Sequence, residues 1–206
     1  MVSRISDTVT EPRSEDRLPA SASSAVKIVI VGGFGVGKTT FVRSVSEIRP
    51  LTTEETMTQA GAGIDDIAGV ERKSVTTVAM DFGRITLNDE LVLYLFGTPG
   101  QQRFWFLWNG LFEGALGAIV LVDTRRLEVS FDVIGRLEEA EVPFVIAVNS
   151  FPDATTYLTE EVRGALDLPE SVPIVVCDAR ERPSSRDVLI SLMRYLRTFA
   201  TTSEST

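Results

Sequence analysis

The residues best suited to chemistry lie in one short run, GGFGVGKTT, where Gly32, Gly37, Lys38 and Thr39 fall in the spacing G-x-x-x-x-G-K-[ST]. Each residue type there has a physical task. Glycines let the backbone turn tightly enough for its N–H groups to wrap a chain of phosphates, with Gly32, Gly33, Gly35, Val36, Gly37, Lys38, Thr39 and Thr40 as the candidate contacts. Lys38 can reach the β and γ phosphates, the Thr39 hydroxyl can hold Mg²⁺, and a helix starting here adds favourable charge. The competing reading is a glycine turn that merely closes a strand–helix unit. The motif alone does not separate ATP from GTP. Elsewhere the chain offers little: it has no histidine, so the commonest general base and metal ligand are missing, and a single cysteine, Cys177, which cannot form an internal disulfide.

The elements that must position this loop follow from apolar patterning. The run Val26 to Val31 predicts a strand ending in the glycine turn, and Lys38 to Ser46 a helix without a breaker. A loop of mixed polarity is expected from about Pro50 to Val75. Strands are expected at Thr77 to Leu87 and Leu91 to Phe96, joined by an Asn88-Asp89 hairpin turn. Further strands are expected at Gly117 to Val122, Phe144 to Val148 and Val172 to Cys177, β-branched and unbroken as buried central strands are. Helices separate them, with Leu127, Phe131, Ile134 and Leu137 on one inward face, Val162, Ala165 and Leu166 on another, and Leu189, Leu192, Leu196 and Phe199 on the last. Alternating strands and helices imply an α/β fold: a mostly parallel sheet of six strands with helices on both faces, its ligands beyond the carboxyl ends of the strands.

Composition bounds the rest. The chain has 206 residues, enough for one domain. Residues 1–25 are rich in Ser, Thr, Pro, Glu and Arg and are expected to be a disordered tail, as are 201–206, leaving 26–200 as the folded domain. No apolar run approaches the roughly 20 residues that span a bilayer. A net charge of −9 opposes an unaided grip on nucleic acid or anionic lipid. Position 2 is not glycine and no cysteine lies near the C-terminus, so no membrane anchor of its own is expected. A cytoplasmic setting is expected, with any membrane recruitment through a partner.

The stretch LYLFGTPGQQRF, with Gly97, Thr98, Pro99, Gly100 and Gln101, resembles the switch II region of Ras-like GTPases, where D-x-x-G-Q follows the third strand. By that resemblance the Gly100 amide contacts the γ-phosphate and Gln101 orients the attacking water. Gly97 stands where the family has the aspartate that holds Mg²⁺ through water. The same loss, with T-P-G-Q or V-P-G-Q, is a feature of the bacterial MglA-type polarity GTPases and the conservon (CvnD-type) GTPases, which this chain resembles. In those relatives a carboxylate on the second strand can take over, and Asp81 in TTVAMDFG is at the matching position. The same stretch resembles the T-x-G-x-D-F segment after switch I, implying Thr77 as a hydroxyl ligand to Mg²⁺, with Thr76 as runner-up and 51–74 as an enlarged switch I. Guanine-specific members carry N-K-x-D after the fifth strand. Here the sequence is Asn149, Ser150, Phe151, Pro152, Asp153, so the lysine is absent and the aspartate one residue late; an Asn/Pro/Asp turn is the competing reading. CDAR resembles the loop whose alanine amide meets the guanine carbonyl, implying Ala179.

The resemblance, spanning Val26 to Phe199, implies a three-layer Ras-like domain binding GTP/GDP with Mg²⁺. Lys38 and Gln101 are its catalytic candidates, Asn149 and Asp153 face the base, and Thr39, Thr77 and Asp81 take the metal. It implies slow hydrolysis, since no arginine adjoins Thr77 to supply the rate factor of about 10³ to 10⁵ that such a finger gives. Arg103, Phe104, Trp105, Phe106, Leu107 and Trp108 form a run too apolar to face one core, so some are expected to anchor a partner or pack under switch I. By resemblance the partner is a Roadblock/LC7-type regulator with a sensor-kinase-like component. Two other readings remain open: a non-hydrolysing scaffold, and an ATP-using P-loop enzyme.

Overall fold

The computed structural model describes residues 24–49, 51–58, 75–100, 104 and 107–203. The chain runs β1 (Ser24–Val31), α1 (Lys38–Val45), β2 (Leu51–Thr58), β3 (Val75–Thr86), β4 (Leu91–Gly97), α2 (Trp108–Phe112) and β5 (Ala115–Val122). It continues through α3 (Val129–Glu139), β6 (Phe144–Asn149), α4 (Thr159–Ala165), β7 (Ile174–Cys177) and α5 (Arg182–Ser203). All the strands join one sheet in the order β2-β3-β4-β1-β5-β6-β7. The pairs β4–β1, β1–β5, β5–β6 and β6–β7 are parallel, while β2–β3 and β3–β4 are antiparallel.

Alternation along the central strands sends side chains to two cores. Val29 and Val31 of β1, with Ala118, Val120 and Val122 of β5, pack against α2, α3 and α4. Ile28 and Ile30, with Leu95, Ile119 and Leu121, pack against α1 and α5. The doubly covered α/β sheet is therefore the architecture the sequence pattern implies. Two close approaches fix its second layer. A Cβ on Gly83 of β3 would lie 2.7 Å from Val42 of α1, and one on Gly117 of β5 3.0 Å from the Pro143 carbonyl oxygen, so small residues let helix and backbone lie this near.

Three expectations change. The six expected strands are all present, and a seventh, β2, forms inside the segment read as a loop, pairing with β3 from Leu51↔Phe82 to Thr58↔Val75. Its sequence, LTTEETMT, lacks the apolar alternation that marks a strand, but an edge strand needs a partner on one side only and threonine suits it. Phe131 is 48% exposed, and the buried face of α3 is Ser130, Val133, Ile134 and Leu137, because the helix begins only at Val129 and its inward stripe is centred one position away from that expected. Phe199 and Ala165, also expected to face inward, are likewise exposed. At the C-terminal end, α5 runs through Ser203, so the first residues of the expected tail continue the helix. Ser24 and Ala25, placed in the expected N-terminal tail, open β1, and residues 1–23 and 204–206 lie outside the described residues.

Candidate functional site

The glycine-rich loop joins β1 to α1 at the carboxyl end of the sheet. Gly35 has φ 76° and Gly37 φ 107°, backbone that a side chain resists, and a Cβ on Gly37 would also lie 2.6 Å from Asn149 Nδ2. The Gly37 carbonyl accepts from Phe41 N at 2.8 Å, which starts α1. Gly37 has no side chain to cap that helix and no acidic residue stands in its first turn, so the positive end of α1 is presented to the loop. Lys38, the first residue of α1, curls back and donates to the Gly32 and Gly33 carbonyl oxygens, both at 2.7 Å. The lysine is buried, and burial pushes its ammonium down to about 8, against the opposing pull of Asp81. A buried cation at the first residue of a helix, able to exchange carbonyl partners for phosphate, is a receptor for anionic oxygen.

Asp81 on β3 faces Gly97 on β4 directly in the ladder. A Cβ on Gly97 would lie 3.1 Å from Asp81 Cβ and 3.4 Å from its Oδ2, so the Asp81 side chain already fills the space a side chain at 97 would enter. Its carboxylate is buried and accepts from Thr39 Oγ1 at 2.5 Å. Hydroxyl and carboxylate thus meet beside the phosphate loop. The donor set suits Mg²⁺, which takes one or two carboxylates, phosphate oxygens and water. Among the described residues no three His, Cys, Asp or Glu side chains gather to hold a metal, so the protein offers here one carboxylate and one hydroxyl.

The chain after β4 is tied to β1: Thr98 N donates to the Ile30 carbonyl at 2.9 Å, and the indole of Trp108 donates to the Pro99 carbonyl at 3.2 Å. These bonds seat Gly100 against the phosphate loop. A Cβ there would lie 2.6 Å from Lys38 Nζ and 2.8 Å from Phe34 N. Gln101, Arg103, Trp105 and Phe106 lie outside the described residues. Of the aromatic run, Phe104 and Trp108 are buried, with Trp108 edge-on to Phe112 at 5.9 Å, so the partner-facing role expected of some of that run does not fall to these two. Thr77 lies on β3 opposite Thr56, four residues and about 13 Å of strand from Asp81, so the structure does not bring Thr77 to the other metal candidates.

At the base-facing end, Asn149 closes β6. Its Nδ2 donates to the Val36 carbonyl at 2.9 Å and its Oδ1 accepts from Ala179 N at 2.9 Å, so one buried side chain bridges the phosphate loop and the 178–180 turn. The Ala179 amide, expected to meet a base carbonyl, is engaged by Asn149 here. Asp153 is exposed and near enough to Arg125 to help hold its guanidinium charged. Sequence reading passed over Asp123, Arg125, Arg126 and Phe34. Their signal was VDTRR, an acid and two arginines at the carboxyl end of a buried strand, where ligands of such sheets gather. A groove of about 630 Å³ beside α5, lined by Val45, Leu93, Leu189 and Met193, holds none of these residues.

Fold and site together define a phosphate-loop nucleotide-binding domain with the G-domain architecture. The G domain of the T. maritima FeoB iron transporter superimposes with a TM-score of 0.56 at 17% identity, over 86% of this chain and 99% of that one. Residues 30–199 match the model of the family described as conserved hypothetical ATP binding protein, and the chain belongs to that family. The uncharacterized protein MJ1339 of Methanocaldococcus jannaschii is 32% identical over 126 residues, 60% of this chain and 69% of that protein. Ras-related protein Rab-7B of Dictyostelium discoideum is 26% identical over 146 residues, 66% of this chain and 63% of its own length.

Proposed function

We propose that this protein is a GTP-binding switch that hydrolyses GTP slowly with Mg²⁺ and signals through a protein partner that reads its switch regions. One observation carries the reading: Lys38, Thr39, Asp81 and Gly100 converge on a single glycine-rich loop, although Asp81 sits on a strand that the usual motif does not use. Thr39 and Asp81 are the residues that would hold Mg²⁺, and the metal, when bound, would neutralise charge on the phosphates. Lys38 holds phosphate oxygen, Gly100 lies where a γ-phosphate would be sensed, and Gln101 is the candidate for orienting water. The resemblance to conservon and MglA-type GTPases supports a Roadblock/LC7-type regulator and a sensor-kinase-like component as partners, with the protein in the cytoplasm.

ATP is the second reading, favoured by the description of the matching family, the serine in place of the motif lysine, and the engagement of the Ala179 amide by Asn149. Chromatography of the nucleotide released on denaturing the purified protein separates the two. Guanosine phosphates are expected, and adenosine phosphates alone would overturn the guanine assignment. Single-turnover hydrolysis by the wild type and Gln101→Leu then tests the chemistry; equal rates would remove Gln101 from it.

A further inference from the structure

The turn that follows β5 brings together three charged side chains that neither the phosphate motif nor the resemblance assigns. Asp123 is buried at the carboxyl end of the sheet. Its Oδ1 accepts from Arg125 N at 3.0 Å and Nε at 2.9 Å, and its Oδ2 from Arg125 Nη2 at 2.8 Å; Arg126 Nη2 stands 3.6 Å from the same Oδ2. One carboxylate therefore orients two cations, and the arginines leave it for two different loops. The Arg125 Cζ lies over the Phe151 ring, 3.9 Å from its centroid, in the loop that follows Asn149. Arg126 Nη2 donates to the Phe34 carbonyl at 2.9 Å, at the tip of the phosphate loop, and packs 3.6 Å from where a Cβ on Gly35 would be.

We propose that Asp123, Arg125 and Arg126 form a two-armed clamp that sets the phosphate loop and the 149–153 loop at the spacing a nucleotide requires, with Arg126 positioning the polyphosphate end and Arg125 the base end. The inference rests on the nucleotide-binding reading above. Of the bonds made to the phosphate loop, those from Lys38 and Asn149 hold its shoulders, at Gly32, Gly33 and Val36, whereas Arg126 holds its tip. The tip is the solvent-facing part of the loop, with Phe34 65% exposed. Fixing it beforehand spares bound phosphate the entropy of ordering it. The anchor itself is rigid: a buried carboxylate satisfied by several charge-assisted bonds does not swing. The Arg125 guanidinium also holds that carboxyl below the usual range, so it stays ionised at neutral pH. The cation at the base end thus comes from the β5–α3 turn, beside a loop in which Ser150 and Phe151 follow Asn149.

The test uses the full chain and Mg²⁺, with GMP and GDP as probes and AMP and ADP in parallel. Arg126 is 48% exposed, so alanine there should leave the melting temperature near that of the wild type, whereas Arg125→Ala strips both side-chain bonds from the buried Asp123 carboxylate and should lower it; affinities of that variant are therefore measured well below its midpoint, with Arg125→Lys alongside. Arg126→Ala should weaken the diphosphate about ten-fold and the monophosphate about two-fold, and Arg126→Lys should recover part of the loss. Arg125→Ala should weaken both by the same factor, because Phe151 lies at the base end. Equal losses on mono- and diphosphate for Arg126→Ala, or none, would overturn the arm to the phosphate loop; unchanged affinities in Arg125→Ala would overturn the other. Lys38→Ala serves as the reference. If it leaves diphosphate affinity intact, the polyphosphate reading fails, and the clamp with it.

Discussion

Nucleotide affinity should fall as pH rises through about 8, because Lys38 must carry its proton to hold phosphate and the unliganded protein releases that proton early. The ammonium is buried among carbonyls, and desolvation outweighs the attraction of Asp81. A bound polyphosphate returns charge partners to it and should restore its value to at least the ordinary 10.5. Linkage then gives the size: affinity is nearly constant below pH 7, about ten-fold weaker at pH 9, and about thirty-fold weaker at pH 9.5. Binding should take up about 0.1 proton per nucleotide at pH 7 and about 0.9 at pH 9, which calorimetry in two buffers of different ionisation enthalpy measures. Guanine titrates in the same range, so ADP belongs beside GDP, and Lys38→Arg is the control. Its guanidinium stays charged throughout, and its affinity, whatever its absolute value, should not carry the lysine slope.

The same shift acts on unliganded folding, and the sign is opposite. Lys38 is lowered in the folded state, so between about 8 and 10.5 the unfolded chain binds more protons and stability rises with pH. Below that window the buried ammonium costs about 3 kcal/mol, the shift converted at 1.36 kcal/mol per unit. A wild-type affinity changing less than about two-fold from pH 7 to pH 9, without proton uptake, would refute the premise that Lys38 waits as a destabilised cation.

Asp81→Ala should abolish the Mg²⁺ dependence of nucleotide retention, followed as the dissociation rate of a bound diphosphate with and without chelator; adding Gly97→Asp to it should restore part, since removing the Asp81 carboxylate clears the space into which a side chain at 97 projects. Retention that responds equally to chelator in Asp81→Ala and wild type would place the metal elsewhere. Asn149→Ala leaves the Val36 carbonyl and the Ala179 amide without their described partner in a buried region and should destabilise the protein by about 2 to 4 kcal/mol in denaturant unfolding. A loss under about 0.5 kcal/mol would show that water replaces both bonds.

The fold was legible because its central strands are unbroken β-branched runs. Val26 to Val31, Gly117 to Val122 and Phe144 to Val148 each lie within the observed β1, β5 and β6, and burial on both faces leaves such sequences no other reading. What escaped was set by tertiary context. β2 is stabilised by pairing with β3, and its threonines and glutamates carry no signal of that neighbour. The run from Arg103 to Trp108 was read as too apolar to face one core as a whole, and which members are covered is set by tertiary partners, as where the Trp108 indole finds the Pro99 carbonyl and joins the core. The site was half legible. A contiguous motif gave Lys38 and Thr39, whereas Arg125 and Arg126 meet partners 26 and 92 residues away, at Phe151 and Phe34 respectively, which no local pattern encodes.

Why Asp81 can serve at all follows from counting outward from one turn. Asn88 Oδ1 accepts from Glu90 N at 2.9 Å and Leu91 N at 2.8 Å, and Leu87 N donates to the Leu91 carbonyl, which closes the hairpin. Each step away from the turn pairs the next residue on β3 with the next on β4, through Thr86↔Val92 and Phe82↔Phe96 to Asp81↔Gly97. Cross-strand partners project to the same face, so a carboxylate on either member of that last pair points toward Thr39. A single inserted residue on one strand would send Asp81 to the opposite face and leave Thr39 without it. The register of a hairpin turn on the far side of the sheet is therefore what allows glycine at 97 without loss of the carboxylate beside the phosphate loop.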